Sequence, residues 1–269
     1  MNPEIIKTHD GQPIVLRSCE GFDELAACVE LQVQTWGYND GDVIPRRMFT
    51  VAQRIGGQVI GAFDPSQQLI GFAMSLPGTK TANKAGAPPT PYLHSHMLAV
   101  LPPYRNEGIG RRLKLYQRAE ALSRGIQLME WTFDPLEIKN AFLNIHRLGV
   151  IVRSYTSNFY GVSSSRLQAG LPTDRLHAEW WMDSARVKAI LSNSTPEQLQ
   201  IVETITVPKA VGEWKAASVS QALALQAENR RRFESAFARG LVVTGFTVDS
   251  EGNGTFELAR LQEPVTGLL

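Results

Sequence analysis

HSHMLAVLPPYRNEGIG, His94 to Gly110, is the stretch that decides how this chain is read. An apolar run ends at Val100, two prolines make a short turn, and glycines punctuate the start of a basic amphipathic helix. Such a strand–turn–helix holds a pyrophosphate against backbone N–H groups. The spacing Arg105-x-x-Gly108-x-Gly110 differs from both the dinucleotide fingerprint G-x-G-x-x-G and the P-loop G-x-x-x-x-G-K-[ST].

Gly108 and Gly110 lack a Cβ, so the backbone can approach phosphate oxygens and take a positive φ. The N–H groups of residues 106 to 111 (Asn106, Glu107, Gly108, Ile109, Gly110 and Arg111) belong to a first helical turn and lack intrahelical acceptors. Arg105, Arg111, Arg112 and Lys114 surround the loop and are candidates for the diphosphate or a ribose phosphate. Glu107 must face away or weaken binding. A glycine turn with a solvated basic face is the plainer reading. Leu98-Ala99-Val100 before the turn, and the apolar spacing of Ile109, Leu113 and Tyr116 after it, favour the phosphate site.

Outward from the loop, Ile14–Leu16 suits a strand. Phe22–Trp36 has helical periodicity with Asp23 as cap, and Pro45 opens a second helix ended by Gly56-Gly57. Gln58–Phe63 and Leu69–Leu76 read as a hairpin around Asp64-Pro65-Ser66. A loop over 77–91 precedes the strand Tyr92–Val100. Then come the helix Gly108–Arg124, the strand Gln127–Phe133, the helix Glu137–Leu148, and the strands Val150–Tyr155 and Phe159–Val162. The order β-α-α-β-β-β-α-β-α-β-β predicts an α+β fold, a mixed central sheet flanked by helices. Ser163 to Pro172 is the expected boundary. It separates a domain over 1–162 from a smaller α/β extension over 173–269, packed on the first. In the extension, Arg175–Met182, Leu199–Val207, Leu241–Val248 and Thr255–Ala259 read as strands and Val219–Arg239 as a helix. Arg230-Arg231-Arg232 reads as a solvated helix face. Trp180-Trp181 should put one indole in the core and the other toward the opposite face.

Composition narrows the function classes. The chain is 43% hydrophobic and 20% charged with net charge +1, so no global field recruits nucleic acid or a membrane. The basic residues lack the aromatic interleaving that stacks bases. No run approaches the ~18 apolar residues of a membrane span, and the first twenty residues do not read as a signal peptide. Cys19 and Cys28 have no metal-ligand spacing, so no metal is expected. They read as packed free thiols in reduced cytosol, and the location expected is cytoplasmic.

Arg105-x-x-Gly108-x-Gly110 resembles the [RQ]-x-x-G-x-[GA] coenzyme A loop of the GNAT superfamily of acyl-CoA-dependent N-acyltransferases. Pro102-Pro103-Tyr104-Arg105 is close to that family's V-x-P-x-[YF]-[RQ] turn, and the element order over roughly 10–162 is similar as well. Trp131 to Leu136 and Asp174-Arg175-Leu176 resemble a sparsely characterised branch of predicted acetyltransferases with a C-terminal extension. The resemblance implies acetyl-CoA, or another short acyl-CoA, as co-substrate. It implies direct attack by a small-molecule or peptide amine, and it leaves a homodimer open. It implies that the pantetheine arm pairs with backbone groups near Leu98 and Val100. The acyl carbonyl would then sit where that strand diverges from Gln127–Phe133. Asn140 corresponds to a family asparagine near the same arm.

His94-x-His96-x-Leu98-Ala99-Val100 resembles the strand of arylalkylamine N-acetyltransferases whose histidines lie near the acceptor amine. Residues two apart on a strand share a face, and an ordinary imidazole pKa of ~6.5 suits a general base. His96 is the first candidate and His94 the second. The family's acid is a tyrosine four residues before Gly149, but Ile145 stands there. Tyr155 or Tyr160 could substitute, or the thiolate could leave unaided. The acceptor is expected near Trp36, Tyr38, Asp40, Asp42 and the 77–91 loop. A non-catalytic acyl-CoA-binding or sensing module is the alternative reading, and acyl-CoA hydrolysis a third.

Overall fold

Strand formation begins earlier than the periodicity predicts, with Glu4–Lys7 (β1) pairing antiparallel to Pro13–Ser18 (β2). The computed structural model describes residues 1–38, 41–81, 89–161, 163–165 and 168–261. Asp40, the middle of the 77–91 loop and Val162 lie outside them. After β2 come helices Gly21–Trp36 (α1) and Arg46–Arg54 (α2), then strands Gln58–Phe63 (β3), Leu69–Lys80 (β4) and Thr90–Val100 (β5). A 3-10 turn at Pro102–Tyr104 leads into Ile109–Ser123 (α3), Leu128–Phe133 (β6) and Ile138–Ala141 (α4), which continues as a π-helical turn over Phe142–Arg147. The rest comprises Ile151–Thr156 (β7), Arg175–Trp181 (β8), Ala185–Leu191 (α5), Ile201–Val207 (β9), Val211–Ala217 (α6), Val219–Ala238 (α7), Val242–Val248 (β10) and Gly254–Ala259 (β11).

Contacts group the chain into two compact units. The first holds Met1–Thr81, Pro89–Met129 and Ser164 with Ser165, and the second holds Glu130–Ser163 and the described residues beyond 167. In the first unit β1 to β5 pair antiparallel in chain order. Helices α1 and α2 cover one face, where Leu25, Cys28, Leu31 and Phe49 pack with Phe72, Met74, Met97 and Ala99. Helix α3 covers the other, with Ile109, Leu113 and Tyr116 on Ile14, Leu16, Ile60 and Ala73. Asp23 does not cap α1. Instead Glu24 accepts from the N–H of Glu20 at 2.7 Å and clasps Arg17 through two 2.7 Å bonds. The Cys19 and Cys28 thiols lie 3.9 Å apart inside this core.

One irregularity in the first unit bears on function. Met74 of β4 faces Met97 of β5, but the next residue, Ser75, faces Ser95. His96 is therefore the extra residue of a β-bulge. Beyond the bulge Leu98 and Val100 point toward α3 while Met97 and Ala99 point toward α1 and α2. Before it the parity is reversed. Ser95 bonds residues of α3, and His94 pairs with Leu76, which packs on the α1/α2 side.

In the second unit β7 lies antiparallel to β8 and β10, and β11 lies antiparallel to β10 and β9. Strand β8 stands between β6 and β7, although the sequence assigns those two strands to one domain and β8 to the extension. The expected boundary at 163–172 thus does not separate two cores. Trp180 of β8 is the reason. It is fully buried, meets Trp131 edge-to-face at 5.9 Å and donates Nε1–H to the Leu148 carbonyl at 2.7 Å. Trp181, the next residue along the strand, is buried too. The predicted strand at Phe159 is a turn. Asn158 and Gly161 have positive φ, and the N–H groups of Phe159 and Tyr160 donate to the Thr173 carbonyl and hydroxyl at 2.9 Å each. Only Arg231 of the arginine triplet is mainly solvated, since Arg230 pairs with buried Asp174 at 3.0 Å and Arg232 with Glu203.

Candidate active site

Val100 ends β5, and the chain turns through Pro102–Tyr104 into α3. The turn is held from both sides. Leu101 N–H donates to the Ile70 carbonyl at 2.8 Å, and the Tyr104 hydroxyl donates to Asp64 at 3.4 Å, near the tip of the β3–β4 hairpin. Burial and the Asp64 carboxylate push the Tyr104 phenol up, so it stays protonated as a donor. Asn106 and Gly108 then adopt left-handed backbone, φ +69° and +77°. Left-handed residues flanking right-handed ones gather N–H groups into an anion-binding concavity.

Gly108 is the N-cap of α3 and no side chain caps it. The first intrahelical bond runs from Arg112 N–H to the Gly108 carbonyl at 3.1 Å, so the N–H groups before it have no acceptor inside the helix. A Cβ built on Gly108 meets nothing within 4 Å, and its glycine is demanded by φ rather than by crowding. Gly110 has no positive φ, and a Cβ there reaches only Leu98 Cδ2 at 3.8 Å. The two glycines of the motif therefore do different jobs.

The side chains around the loop divide. Arg105 is exposed and donates Nε–H to the Val100 carbonyl at 3.1 Å. Arg112 is exposed and approaches Glu4 at 3.5 Å. Glu107 turns to the β1–β2 connection, accepting from His9 N–H at 2.7 Å and meeting its ring at 2.8 Å. Lys114 does not join the basic ring. It is buried and donates to Ser95 Oγ at 2.6 Å, and burial holds its ammonium well below the usual lysine range.

His94 and His96 stand together, ring centroids 6.0 Å apart, both partly buried. Burial lowers the His96 pKa below the ordinary imidazole value, which keeps the ring neutral and able to take a proton at neutral pH. Their face also carries Trp36 and Tyr38, stacked at 5.3 Å and packed on the α1/α2 core. Asp42, a sequence candidate for an ammonium group, accepts from the N–H and Oγ–H of Ser164 at 2.6 Å each.

Asn140 and Tyr155 belong to the second unit. Asn140 is exposed on α4 and accepts from Asn144 at 3.4 Å. The Tyr155 hydroxyl donates to Asp174, its ring stacks on Phe233 at 5.8 Å, and burial with the Asp174 carboxylate raises its pKa far above that of a free phenol. Tyr160 is exposed and its hydroxyl lies 3.0 Å from Thr132 Oγ1. Ile145 is buried, and His146 beside it is exposed and stacked on Phe142 at 4.4 Å. Among the described residues no cluster of His, Cys, Asp or Glu could hold a metal ion, and no helix is long and apolar enough to cross a membrane.

Residues 23–143 match the model of the Acetyltransferase (GNAT) family, a span from α1 through the Arg105–Gly110 loop to the π-helical turn. Among solved structures the chain is similar to Arabidopsis thaliana NAA60 in complex with a bisubstrate analogue, with 16% identity, 62% of this chain and 98% of that one covered, and TM-score 0.49. It is similar to yncA of Salmonella typhimurium with its cofactor acetyl-CoA, with 19% identity, 63% and 94% covered, and TM-score 0.48. A third is the ribosomal-protein-S18-alanine N-acetyltransferase of Escherichia coli, with 15% identity, 64% and 96% covered, and TM-score 0.47. No curated protein matches the sequence.

Proposed function

We propose that the protein transfers an acetyl or other short acyl group from acyl-CoA to an amine by direct attack. The observation that carries this reading is the pairing, on one strand, of an anion cradle at its end with two neighbouring imidazoles at its bulge, of which His96 is held neutral by burial. The cradle of Asn106, Gly108, Ile109, Gly110 and Arg111, with Arg105 and Arg112 outside it, takes the diphosphate of coenzyme A. Backbone groups near Leu98 and Val100 take the pantetheine arm.

His96 is assigned as the base, with His94 beside it. The amine nitrogen attacks the thioester carbonyl as His96 removes its proton. The new C–N bond forms, the C–S bond breaks, and the thiolate leaves. The thiolate then gains a proton from solvent or from the imidazolium. Tyr155 is assigned no proton-transfer step, because its hydroxyl is engaged by Asp174 and its pKa is raised. Trp36 and Tyr38 offer the acceptor an aromatic, apolar wall, so an amine borne on an apolar or aromatic group is favoured.

The test is acetyl-CoA consumption across a panel of arylalkylamines, polyamines and peptide N-termini. Amine-dependent release of coenzyme A, abolished in His96→Gln, supports transfer. Binding without turnover with every amine points to a sensing module, and release without amine points to hydrolysis.

A further inference from the structure

Beneath the histidines lies a buried polar network on the opposite face of the sheet. Ser95 Oγ donates to Gln117 Oε1 at 3.1 Å and accepts from Lys114 Nζ at 2.6 Å. Ser75, paired with Ser95 across the strands, donates to Gln58 Oε1 at 2.9 Å. Gln58 in turn donates to the Gln117 carbonyl at 2.9 Å. All five residues are buried. Apolar side chains of similar volume would fill this space with less desolvation, and the best-attested reason to keep polar groups in a core is to fix register.

Register is what β5 needs here. A one-residue slip moves every side chain of a strand to the other face. If the bulge closed, the chain before Met97 would shift by one residue against β4. His94 and His96 would turn under α3, and Ser95 would turn into the apolar layer of Phe72, Met74 and Met97.

We propose that Ser95, Lys114 and Gln117 form a polar lock that fixes the bulge at His96 and so determines which face presents the two histidines. Ser95 finds polar partners on the α3 side, and on the α1/α2 side it meets hydrocarbon. The lock also ties the histidine strand to α3, whose first turn is the anion cradle. These are positioning residues, and their effect on turnover rests on the acyl-transfer reading above.

The test uses the full chain and two readouts. The ring resonances of His94 and His96 are followed by NMR in wild type, Ser95→Ala, Ser95→Thr and Ser95→Ala/Gln117→Leu, with exposed His9 and His146 as internal references. The alanine variants should shift or double the His94 and His96 signals and leave His9 and His146 unmoved, and Ser95→Thr should return a single wild-type-like set. With an active amine, kcat should fall about 10- to 100-fold, the size expected for a displaced catalytic group. KM for acetyl-CoA should stay within about twofold, because the cradle is untouched. If the double variant does not fold, Ser95→Ala alone decides. Wild-type histidine spectra in the alanine variants overturn the lock, whatever happens to thermal stability. A wild type that neither binds nor consumes acetyl-CoA overturns the acyl-transfer reading instead, and the histidine spectra still decide the lock.

Discussion

Two points on strand β5, its C-terminal end at Val100 and its bulge at His96, reach their geometry by opposite routes. At Val100 the chain meets two prolines, an asparagine and two glycines within ten residues, and the cradle follows from what those residues do locally. At His96 nothing local dictates the bulge. Its position depends on Ser75, Gln58, Lys114 and Gln117, which stand from 18 to 38 residues away in the chain. The first can be damaged by one backbone substitution. The second can be displaced from a distance.

The largest effect should come from Gly108→Asp. It puts a side chain at φ +77°, a conformation that costs roughly 1–2 kcal/mol for most residues, and a carboxylate into the anion cradle. Calorimetric titration of acetyl-CoA should show affinity falling by more than about 100-fold.

Next is His96→Gln, expected to lower kcat/KM by about 100-fold or more, the span of general-base catalysis. Because burial depresses the His96 pKa, the acidic limb of the wild-type pH–rate profile should have its midpoint below ~6.5, the ordinary imidazole value. The variant should lose that limb. The same depression stabilises the fold above the unfolded imidazole pKa, and this contribution is lost as pH falls through the folded value. Chemical denaturation between pH 7 and 5 should therefore weaken wild type more than His96→Gln.

Tyr155→Phe sharpens the comparison by probing a tyrosine outside both places. Its kcat should change less than about threefold, well short of a lost proton donor. The raised Tyr155 pKa means its contribution to stability is complete below pH ~10 and declines as pH rises above that value. Denaturation at pH 9 and 11 should accordingly separate wild type from a flatter variant.

The smallest effect belongs to Gly110→Ala. With ordinary φ and 3.8 Å of clearance to Leu98, it should change stability by less than about 1 kcal/mol in denaturant titration. Equal stability losses at Gly108 and Gly110 would break the distinction drawn between the two glycines.

The same contrast explains what could be read in the chain. The strand–turn–helix from Leu98 to Arg112, both hairpin strands before it, α1 and most of α7 follow short-range signals and stand where periodicity and turn residues put them. The early strand β1, of only four residues, gave no periodic signal, and α5 and α6, with seven residues each, gave too few turns. Lys114 sits among arginines in sequence and reads as basic surface. Only the helical rotation of α3, set by Leu113 and Tyr116 on the core, reveals that it points inward. The Arg230–Asp174 pair joins residues 56 positions apart, beyond any local pattern. Ser163 to Pro172 looks like a linker by composition. Yet Thr173 and Asp174 fasten the turn after β7, and β8 then enters the sheet beside it.

The two thiols of the first unit have a practical consequence at the bench. Cys19 and Cys28 are the only cysteines, and both are enclosed. The neighbouring Cys28 sulfur and burial push the Cys19 thiol up, leaving it almost no thiolate near neutral pH. A chromogenic disulfide reagent added to the native protein should thus colour only slowly, and two equivalents should appear on unfolding. In the acetyl-CoA consumption assay proposed above, thiol release would then be read continuously against that slow background.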